Sequence, residues 1–499
     1  MSPKVYLDAL GTLVVLFISW AYLRKQQPPY PPAVGSMLPW IGSGLIFARD
    51  PFTFLDTCRK QYGHVFKLLL GGRRMIVVSS ADAIAALLRD RHGTLDADVM
   101  HIALLRCVGA INHDTHRIHD ILHHEIFPII GRCFTRHSLS NISSQFSTRL
   151  RSQLDEAFSS HNQQSISLKG LVGRSLFEAT SSAMLRPSFP ISFYDDLLRL
   201  DSSIYSRLYK LPFFSHSSTW ARHRLLDRLA DYIEEIERDG AEGELMSGVL
   251  EVFKANKLGR SDKAGLMLVF IWGSHINPMN TTIWLLTYLL ANREAMTKIR
   301  EEVDQTIHSQ FTSLDSLLAA DPCVLDGPGF SLLDSAIRET MRLTVITTVV
   351  RRATCDTELK SEGRTIHISE GEHIMADVRA PHHDETTYPD AETFIYDRFV
   401  FRENSENASG QIPSSNQRAA LTFFGWGSGK HICKGRHLAM YEVKLLVIIL
   451  LHLYDMSLAS GVLQNFPPKF KRRSLGVWHA NEDVLVHLQR RHVSGTTTG

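Results

Sequence analysis

Apolar residues recur at helical spacing over several long stretches of the chain. Four of these stretches predict helices, at residues 201–237, 263–308, 330–343 and 437–454. Short patches rich in β-branched residues predict strands at residues 65–70, 75–78, 365–368, 373–377 and 484–488. Because strands and helices do not alternate regularly, the pattern predicts a mainly α protein with small β-sheets, an α+β fold.

The N-terminal residues carry a separate apolar run. Residues 5–23 are apolar apart from Asp8, close to the ~20 residues that a helix needs to cross a bilayer. Arg24 and Lys25 follow at once, so the positive-inside rule places the remainder of the chain in the cytosol. A cleaved signal peptide is the alternative, but no small-residue cleavage site follows the run.

The chain is therefore predicted to have three parts. Residues 1–25 form a membrane anchor that contacts lipid, and the prolines within residues 26–40 favour a stiff, extended spacer. Residues 41–499 form a single catalytic domain, since no repeat or long low-complexity segment divides them.

Charge and cysteine content narrow the function classes. The 54 basic and 52 acidic residues leave a net charge of +2, so we expect no nucleic-acid partner. The six cysteines lie far apart, without a CxxC pair, which indicates a reducing compartment. Five of them are expected to be small buried hydrophobic residues; Cys433 stands apart.

Cys433 closes a glycine-rich run, WGSGKHICKG, at residues 426–435. Gly427 and Gly429 would let the backbone pass close to a flat ring. A helix is predicted to begin near Gly435, and its amide-rich N-terminus would favour thiolate over thiol at the cysteine.

Two other interpretations of this run fail on its residues. A phosphate-binding loop needs glycine and Ser or Thr where Phe424 and His431 stand. A zinc site needs a second cysteine or a spaced histidine pair close by. What remains is a thiolate ligand for a bulky planar cofactor.

The run resembles the haem-binding loop of the cytochrome P450 family, FGxGx[HR]xCxG. Gly427, Gly429, His431, Cys433 and Gly435 match it, and Trp426 stands where the family has Phe. The resemblance implies the family fold and haem b with Cys433 as its axial iron ligand. Trp426, Gly427, His431 and Gly435 would surround the haem. It also implies electrons from NADPH through a flavoprotein reductase, NADPH-cytochrome P450 reductase, and a single-pass endoplasmic reticulum protein.

A second signature supports the resemblance. Glu339 and Arg342 match the family's ExxR and share one helical face, where they can pair. Arg398, within residues 388–399, matches the arginine that joins this pair in a structural network. An isolated ExxR is usually a solvated salt bridge, but here the three residues and the cysteine loop occur in the family's order.

Two further arginines match family positions. Arg351 stands where the family binds a haem propionate, although Arg352 competes for the role. Arg117 matches the arginine of a helical WxxxR in which His113 replaces Trp. The histidines His116, His119, His123 and His124 surround Arg117; a partly solvated cluster is favoured over a metal site.

The chain departs from the family above the haem. The family's acid and threonine for oxygen activation are replaced by Ile276 and Asn277. Their loss weakens the expectation of ordinary hydroxylation, because that pair relays protons. Asn277 is the candidate catalytic residue, since its amide can still hold a water. Pro278 is expected to disturb the helix.

Asn277, Trp272 and the stretches RATCDTEL and HHDETTYPDAETFIYDRF, at residues 352–359 and 382–399, together resemble one branch of the family. That branch contains cholesterol 7-alpha-hydroxylases, oxysterol hydroxylases and prostacyclin synthase. The resemblance implies a monooxygenase that oxidises a lipophilic polycyclic substrate, such as a terpenoid or steroid, in a biosynthetic pathway. A haem-thiolate isomerase or dehydratase that needs no reductase, and a catalytically silent haem- or lipid-binding protein, are the alternatives.

The remaining expectations concern contacts. Substrate contacts are expected from residues 95–111, 270–277, 344–350 and 475–477, with core packing as the alternative for most of them. Lys430, Lys434 and Arg436 could form a basic patch for an acidic reductase, or a merely solvated one.

Overall fold

The structure is a computed structural model. It describes residues 31–35, 40–90, 92–159, 165–209, 216–400, 422–459, 468 and 474–491. The predicted anchor and most of the predicted spacer lie outside these residues. Among the helices that the structure describes, none is both long and apolar enough to cross a bilayer.

Seventeen α-helices occur in the described residues, and they are α1 Gly44–Arg49, α2 Pro51–Tyr62, α3 Ala81–Arg89, α4 Asp98–Cys107, α5 Thr115–Ile121, α6 Phe127–Cys133, α7 Ser140–Ser159, α8 Leu168–Met184, α9 Phe193–Leu208, α10 His216–Asp239, α11 Gly243–Ala255, α12 Arg260–Ala291, α13 Arg293–Thr306, α14 Leu314–Leu318, α15 Ser331–Thr344, α16 Arg379–His382 and α17 Arg436–Leu453. The strands are β1 Val65–Leu70, β2 Arg73–Val78, β3 Leu95–Asp96, β4 Ile166–Ser167, β5 Thr348–Ala353, β6 Thr357–Ser361, β7 Arg364–Ile368, β8 His373–Asp377, β9 Tyr454–Leu458 and β10 Leu485–Arg490. Helices thus dominate, with small sheets, as the sequence predicted.

The chain divides into two compact units, and the first contains residues 1–96 and 349–377. Its sheet has the strand order β1-β2-β8-β5-β3. Strands β1 and β2 form an antiparallel hairpin, while β8 runs parallel to β2. Gly71 and Gly72 make the hairpin turn with φ of 57° and 84°, a left-handed backbone that glycine adopts without strain.

The second unit contains residues 97–348 and 378–499 and holds most of the helices. Helix α12 lies at its centre, because α8, α10, α15 and α17 all pack against it. Its Trp284 is fully buried, and the indole N–H donates to the Trp478 carbonyl oxygen at 2.7 Å. A three-stranded sheet, β4-β10-β9, belongs to the same unit. The prediction of a single catalytic domain stays a prediction.

Two predictions about elements and burial need correction. The helix predicted over residues 263–308 is two helices, because Asn292 ends α12 and its side chain caps α13 by accepting from the Ala295 N–H at 3.0 Å. Of the five cysteines predicted to be buried, only Cys58 and Cys133 are, while Cys355 is exposed. Cys355 lies between β5 and β6, where a loop faces solvent.

Candidate active site

A cavity of 650 Å³ opens within the second unit, a size typical of small-molecule and cofactor sites. The segment from Leu122 to Phe134, helix α11, helix α12 and residues 430–435 supply most of its walls. Most of the lining side chains are apolar, and among the described residues that line it none is acidic. The cavity therefore suits a largely apolar ligand with an anionic or neutral polar edge.

The cysteine loop forms one wall of this cavity. Gly427 and Gly429 have φ of 70° and 64°. Both therefore have a left-handed backbone conformation, which glycine adopts without strain. The Cys433 N–H donates to the Trp426 carbonyl oxygen at 2.9 Å, which closes the loop. These two features hold Cys433 at the cavity, and Gly435 follows as the residue that caps α17.

The Cys433 side chain is accessible because it faces the cavity, yet protein atoms surround it on its other sides. Burial raises the pKa of its thiol, and the Gly435 N–H, Arg436 and Lys434 oppose this only in part. The Gly435 N–H at the helix N-terminus thus lowers the pKa of Cys433, in the predicted direction, although desolvation outweighs this effect in the protein alone. Metal coordination would deprotonate the sulfur.

The residues fit a flat ring that binds through the sulfur. Gly273 of α12 and Gly435 both line the cavity, and a Cβ added to either would meet no atom within 4 Å. The absence of side chains there leaves room for a planar cofactor beside Cys433. Cysteine thiolate is an established axial ligand of haem iron, so the donor chemistry fits as well.

The cofactor residues predicted from the loop are only partly brought together. His431 and Gly435 line the cavity with Cys433. Trp426 and Gly427 are not among the described lining residues; Trp426 supports the loop through its carbonyl oxygen, and Gly427 donates its N–H to the Phe424 carbonyl oxygen at 2.9 Å.

The structure brings Glu339, Arg342 and Arg398 together in a buried network. The Glu339 carboxylate is completely buried. It accepts from Arg342 Nε and Nη2 at 2.7 and 2.8 Å, and from Arg398 Nε at 3.0 and 3.1 Å. The Ile395 N–H donates to it as well, at 3.1 Å. Such a satisfied set of charges differs from the solvated salt bridge that an isolated ExxR would form.

This network reaches the cysteine loop through His382. Arg342 Nη1 donates to the His382 carbonyl oxygen at 2.5 Å, and His382 Nε2 accepts from the Phe424 N–H at 2.9 Å. Burial lowers the pKa of His382 to about 3, so the ring stays neutral and Nε2 remains an acceptor. No local pattern in the sequence marks His382, since its partners are distant along the chain.

Asn277 lies against a turn of the same unit. Its Oδ1 accepts from the Val477 N–H at 3.1 Å, and a Cβ on Gly476 would approach Oδ1 within 2.4 Å. Asn277 is not among the described residues that line the cavity; Gly273 and Ser274 are the nearest preceding ones that do. Its amide NH₂ donates to no residue that the structure describes.

Helix α12 continues through Pro278, so the predicted disturbance is not an interruption. Proline removes the donor that would serve the Ser274 carbonyl. Neighbouring side chains bond the helix backbone instead: Asn280 Nδ2 donates to the Ile276 carbonyl oxygen at 2.9 Å, and Thr282 Oγ1 donates to the Pro278 carbonyl oxygen at 2.9 Å. Ile276, in the position of the family's acid, is buried.

Arg117 and Arg351 are not at the cavity in the described structure. Arg117 is exposed, and its Nη2 donates to the Asn256 carbonyl oxygen at 2.6 Å. Arg351 belongs to the first unit, where it is buried and donates to the Val350 carbonyl oxygen at 3.1 Å. Burial lowers the pKa of Arg351.

Two side-chain contacts at the cavity were missed by sequence reasoning. His101 and His123 both line it, and His123 Nε2 lies 2.8 Å from His101 Nδ1. Trp272 lines it too, and its indole N–H donates to Asp201 Oδ1 at 2.9 Å. His101 and Asp201 carry no local motif, so only the folded chain reveals these partners.

The expected substrate contacts are met in part. His101 lies within residues 95–111, and Phe270, Trp272, Gly273 and Ser274 lie within residues 270–277. The described lining of this cavity includes no residue from 344–348 or 475–477. Two of the four predicted segments therefore supply its walls.

Comparisons with known proteins agree with this geometry. The cytochrome P450 family model matches residues 31–482. The 7-alpha-hydroxycholest-4-en-3-one 12-alpha-hydroxylase of Oryctolagus cuniculus is 24% identical, over 96% of this chain and 98% of its own. The prostacyclin synthase of Bos taurus is 22% identical, over 93% of this chain and 95% of its own.

A solved structure titled "Retinoic acid bound cyanobacterial CYP120A1" superimposes with a TM-score of 0.70 at 19% identity, covering 93% of this chain and all of its own. That likeness establishes a shared fold. Prostacyclin synthase is one of the enzymes that the sequence resemblance named, so the branch is confirmed. With the family matched over most of its length, the chain belongs to the cytochrome P450 family of haem-thiolate monooxygenases.

Proposed function

We propose that this protein is a membrane-anchored haem-thiolate monooxygenase that inserts oxygen into a lipophilic polycyclic substrate, a terpenoid or a steroid, in a biosynthetic pathway. The observation that carries the proposal is Cys433 at one wall of a mostly apolar cavity to which Gly273 also contributes. The anchor at residues 1–25 and the endoplasmic reticulum location, with a cytosolic catalytic domain, are part of the proposal.

The proximal residues hold the cofactor. Cys433 would hold the haem iron through its sulfur, and a haem with a thiolate ligand would supply oxygen activation. Glu339, Arg342 and Arg398 hold the segment before the loop in place, and His382 passes that constraint to Phe424. The sulfur is thus positioned by packing and hydrogen bonds rather than by a mobile loop.

On helix α12, Asn277 is proposed to hold a water or oxygen. Its Oδ1 is fixed by the Val477 N–H, which leaves the amide NH₂ as an oriented donor. Ser274 lines the cavity, and its hydroxyl already donates to the Phe270 carbonyl oxygen at 2.9 Å. An oriented amide in place of the family's acid and threonine suits positioning better than proton delivery.

The residues that line the cavity support the proposed substrate class. Leu122, Ile126, Phe134 and Phe270 offer apolar surface without an acidic partner, which favours a rigid lipophilic molecule over a charged one. Trp272 is held by Asp201, so its ring presents a fixed face. The hydroxylase relative, named for a steroid-like substrate, supports the same class.

Electrons are proposed to come from NADPH through a flavoprotein reductase. Lys430, Lys434 and Arg436 belong to the cysteine loop and the start of α17. Lys434 Nζ donates to the Lys430 carbonyl oxygen at 3.3 Å, and Arg436 Nη1 donates to the Cys433 carbonyl oxygen at 3.1 Å. A basic patch beside the sulfur would attract an acidic reductase surface.

A second candidate is a haem-thiolate isomerase that acts without reductase. The observation that favours it is the replacement of the acid and threonine by Ile276 and Asn277, together with the likeness to prostacyclin synthase. A catalytically silent binding protein is the third reading of the same replacement.

The deciding experiment offers a panel of sterols and terpenoids to the membrane-bound protein with added reductase, and follows NADPH consumption and product. The proposal expects NADPH use that depends on a substrate of this class and disappears in Cys433→Ala. Product without NADPH use would favour the isomerase, and no product from any member of the panel would favour the silent protein.

A further inference from the structure

Four histidines meet at one edge of the cavity. Ring nitrogens of His101, His119 and His123 all lie within 4.8 Å of one another. The His431 ring lies 5.8 Å from the His101 ring and 6.1 Å from the His123 ring, between centroids. We call these four residues the histidine cluster.

The fold builds this cluster from three places in the chain. His101 comes from α4, His119 from α5 and His431 from the cysteine loop. His123 lies in a π-helical turn at Leu122–Ile126, which joins α5 to α6. π-helical turns are rare and occur frequently at functional sites. Pro128, near the start of α6, cannot donate to the preceding turn, which accounts for the wider winding there.

The carboxylates closest to the cluster, Asp98 and Asp120, lie at His119, which is not among the described residues that line the cavity. His123 and His101 share one hydrogen bond at 2.8 Å, and the nearest carboxylate to His119 Nε2 is Asp98 Oδ1, at 3.3 Å. Neither ring nitrogen of the buried His119 makes a well-aligned hydrogen bond to a residue that the structure describes. Burial and its histidine neighbours lower the pKa of His123 to about 4.

The edge of the cavity at His101, His123 and His431 therefore suits an anionic group. Lys430 and Lys434 add positive charge to the same lining, and no acidic residue opposes them among the described lining residues. An imidazole N–H donates to a carboxylate whether the ring is neutral or charged. Haem b carries two carboxylates on one edge of an otherwise apolar ring, which matches an apolar cavity with one basic edge.

We propose that the histidine cluster binds the haem carboxylates, in the place of the arginine that the WxxxR resemblance assigned to Arg117. The inference rests on the proposed haem site at Cys433. It explains why Arg117 is free to donate to the Asn256 carbonyl oxygen on an exposed surface. It makes His101 and His123 cofactor-binding residues, with the buried His119 packed against both rings.

A metal ion is the competing ligand for three histidines. Zinc binds imidazole nitrogen at ~2.0–2.1 Å in tetrahedral sites. The His101 and His123 nitrogens face each other in a hydrogen bond, and both residues line the cavity that Cys433 shares. Their place beside the proposed cofactor favours the carboxylates.

The test titrates full-length, haem-free protein with haemin and with haemin dimethyl ester, whose carboxylates are blocked. The wild-type protein should bind haemin about tenfold to a hundredfold more tightly, as expected for charge-assisted hydrogen bonds. This comparison needs no substitution, so it cannot be confused with misfolding. Equal affinity for the two porphyrins would overturn the inference.

Variants then show which residues cause the preference for haemin over haemin dimethyl ester. The double variant His101→Leu/His123→Leu should lose it, whereas His116→Leu, the same change on an exposed residue of α5, should keep it. Loss of the preference in Arg117→Gln alone would return the carboxylates to Arg117 and overturn the inference. Stoichiometric Zn²⁺ binding that the double variant abolishes, with the porphyrin preference intact, would also overturn it.

Failure of the proposed function looks different. In that case neither porphyrin would give a thiolate-type Soret band after reduction and binding of carbon monoxide, in wild type or in any variant. A thiolate-type band with no preference between porphyrins would leave Cys433 as the ligand and remove only the role of the histidine cluster.

Discussion

Replacing Glu339 by glutamine should cost this protein a large part of its stability. The substitution keeps the shape of the side chain but removes the charge that faces Arg342 and Arg398. Both guanidinium groups are at most 9% exposed, so water cannot replace the lost partner. The remaining acceptors of Arg342 Nη1 are neutral carbonyl oxygens, those of His382 and Ala391.

The expected magnitude follows from this burial. Removing one partner of a buried charge pair costs about 3–5 kcal/mol, because it leaves an uncompensated charge. Domains are stable by about 5–15 kcal/mol, so about a fifth or more of the total would be lost. The loss should also loosen Phe424, which depends on His382, and thereby the cysteine loop.

The assay is a guanidinium titration of purified protein, followed by far-UV circular dichroism and by the Soret band. Glu301→Gln is the matched control, because Glu301 pairs with Lys298 at the same i,i+3 spacing but is 59% exposed. That surface pair should be worth less than about 1 kcal/mol. The reasoning would be refuted if the denaturation midpoint of Glu339→Gln lay as close to that of the wild-type protein as the midpoint of Glu301→Gln does.

Three further predictions concern single positions. Asn277→Ala should reduce product or uncouple it from NADPH consumption while the haem spectrum is kept; unchanged coupling would remove Asn277 from oxygen activation. Burial raises the pKa of Glu442 to about 8, so the folded chain binds more protons than the unfolded one from about pH 4.3 to about pH 8. Stability should fall as pH rises across that range, by at most about 1.4 kcal/mol per pH unit, and Glu442→Gln should abolish this slope in denaturation midpoints; parallel pH profiles would contradict it. Gly265→Ala should destabilise by about 1–3 kcal/mol, because its Cβ would lie 2.4 Å from the Gly109 carbonyl oxygen. Gly273→Ala, in the same helix but with open space around it, should be neutral or stabilising when the same thermal unfolding assay is run on haem-free protein, and equal losses would count against the contact.

The sequence predicted the elements that local pattern controls. Strand β1 at Val65–Leu70 and strand β8 at His373–Asp377 have the predicted bounds, and α15 and α17 differ from prediction by one residue at each end. The helix predicted over residues 201–237 instead comprises parts of α9 and α10. Periodicity records which face is apolar, and it does not record where a helix stops.

The site was predictable where a family motif marks its residues. Cys433, Gly427 and Gly429 lie within a few residues of each other, so the loop could be recognised from the sequence alone. His101, His382 and Asp201 meet their partners only through the fold, and no local pattern marks them. The desolvation that raises the pKa of Cys433 was not predictable for the same reason, because burial is a property of the folded state.

The most direct test of the account is the reduced, carbon monoxide-bound absorption spectrum of the membrane-bound protein, compared with that of Cys433→Ser. The account predicts a thiolate-type Soret band in the wild-type protein and its loss in the variant. Retention of that band in Cys433→Ser, or its absence from the wild-type protein, would contradict the assignment of Cys433 as the iron ligand.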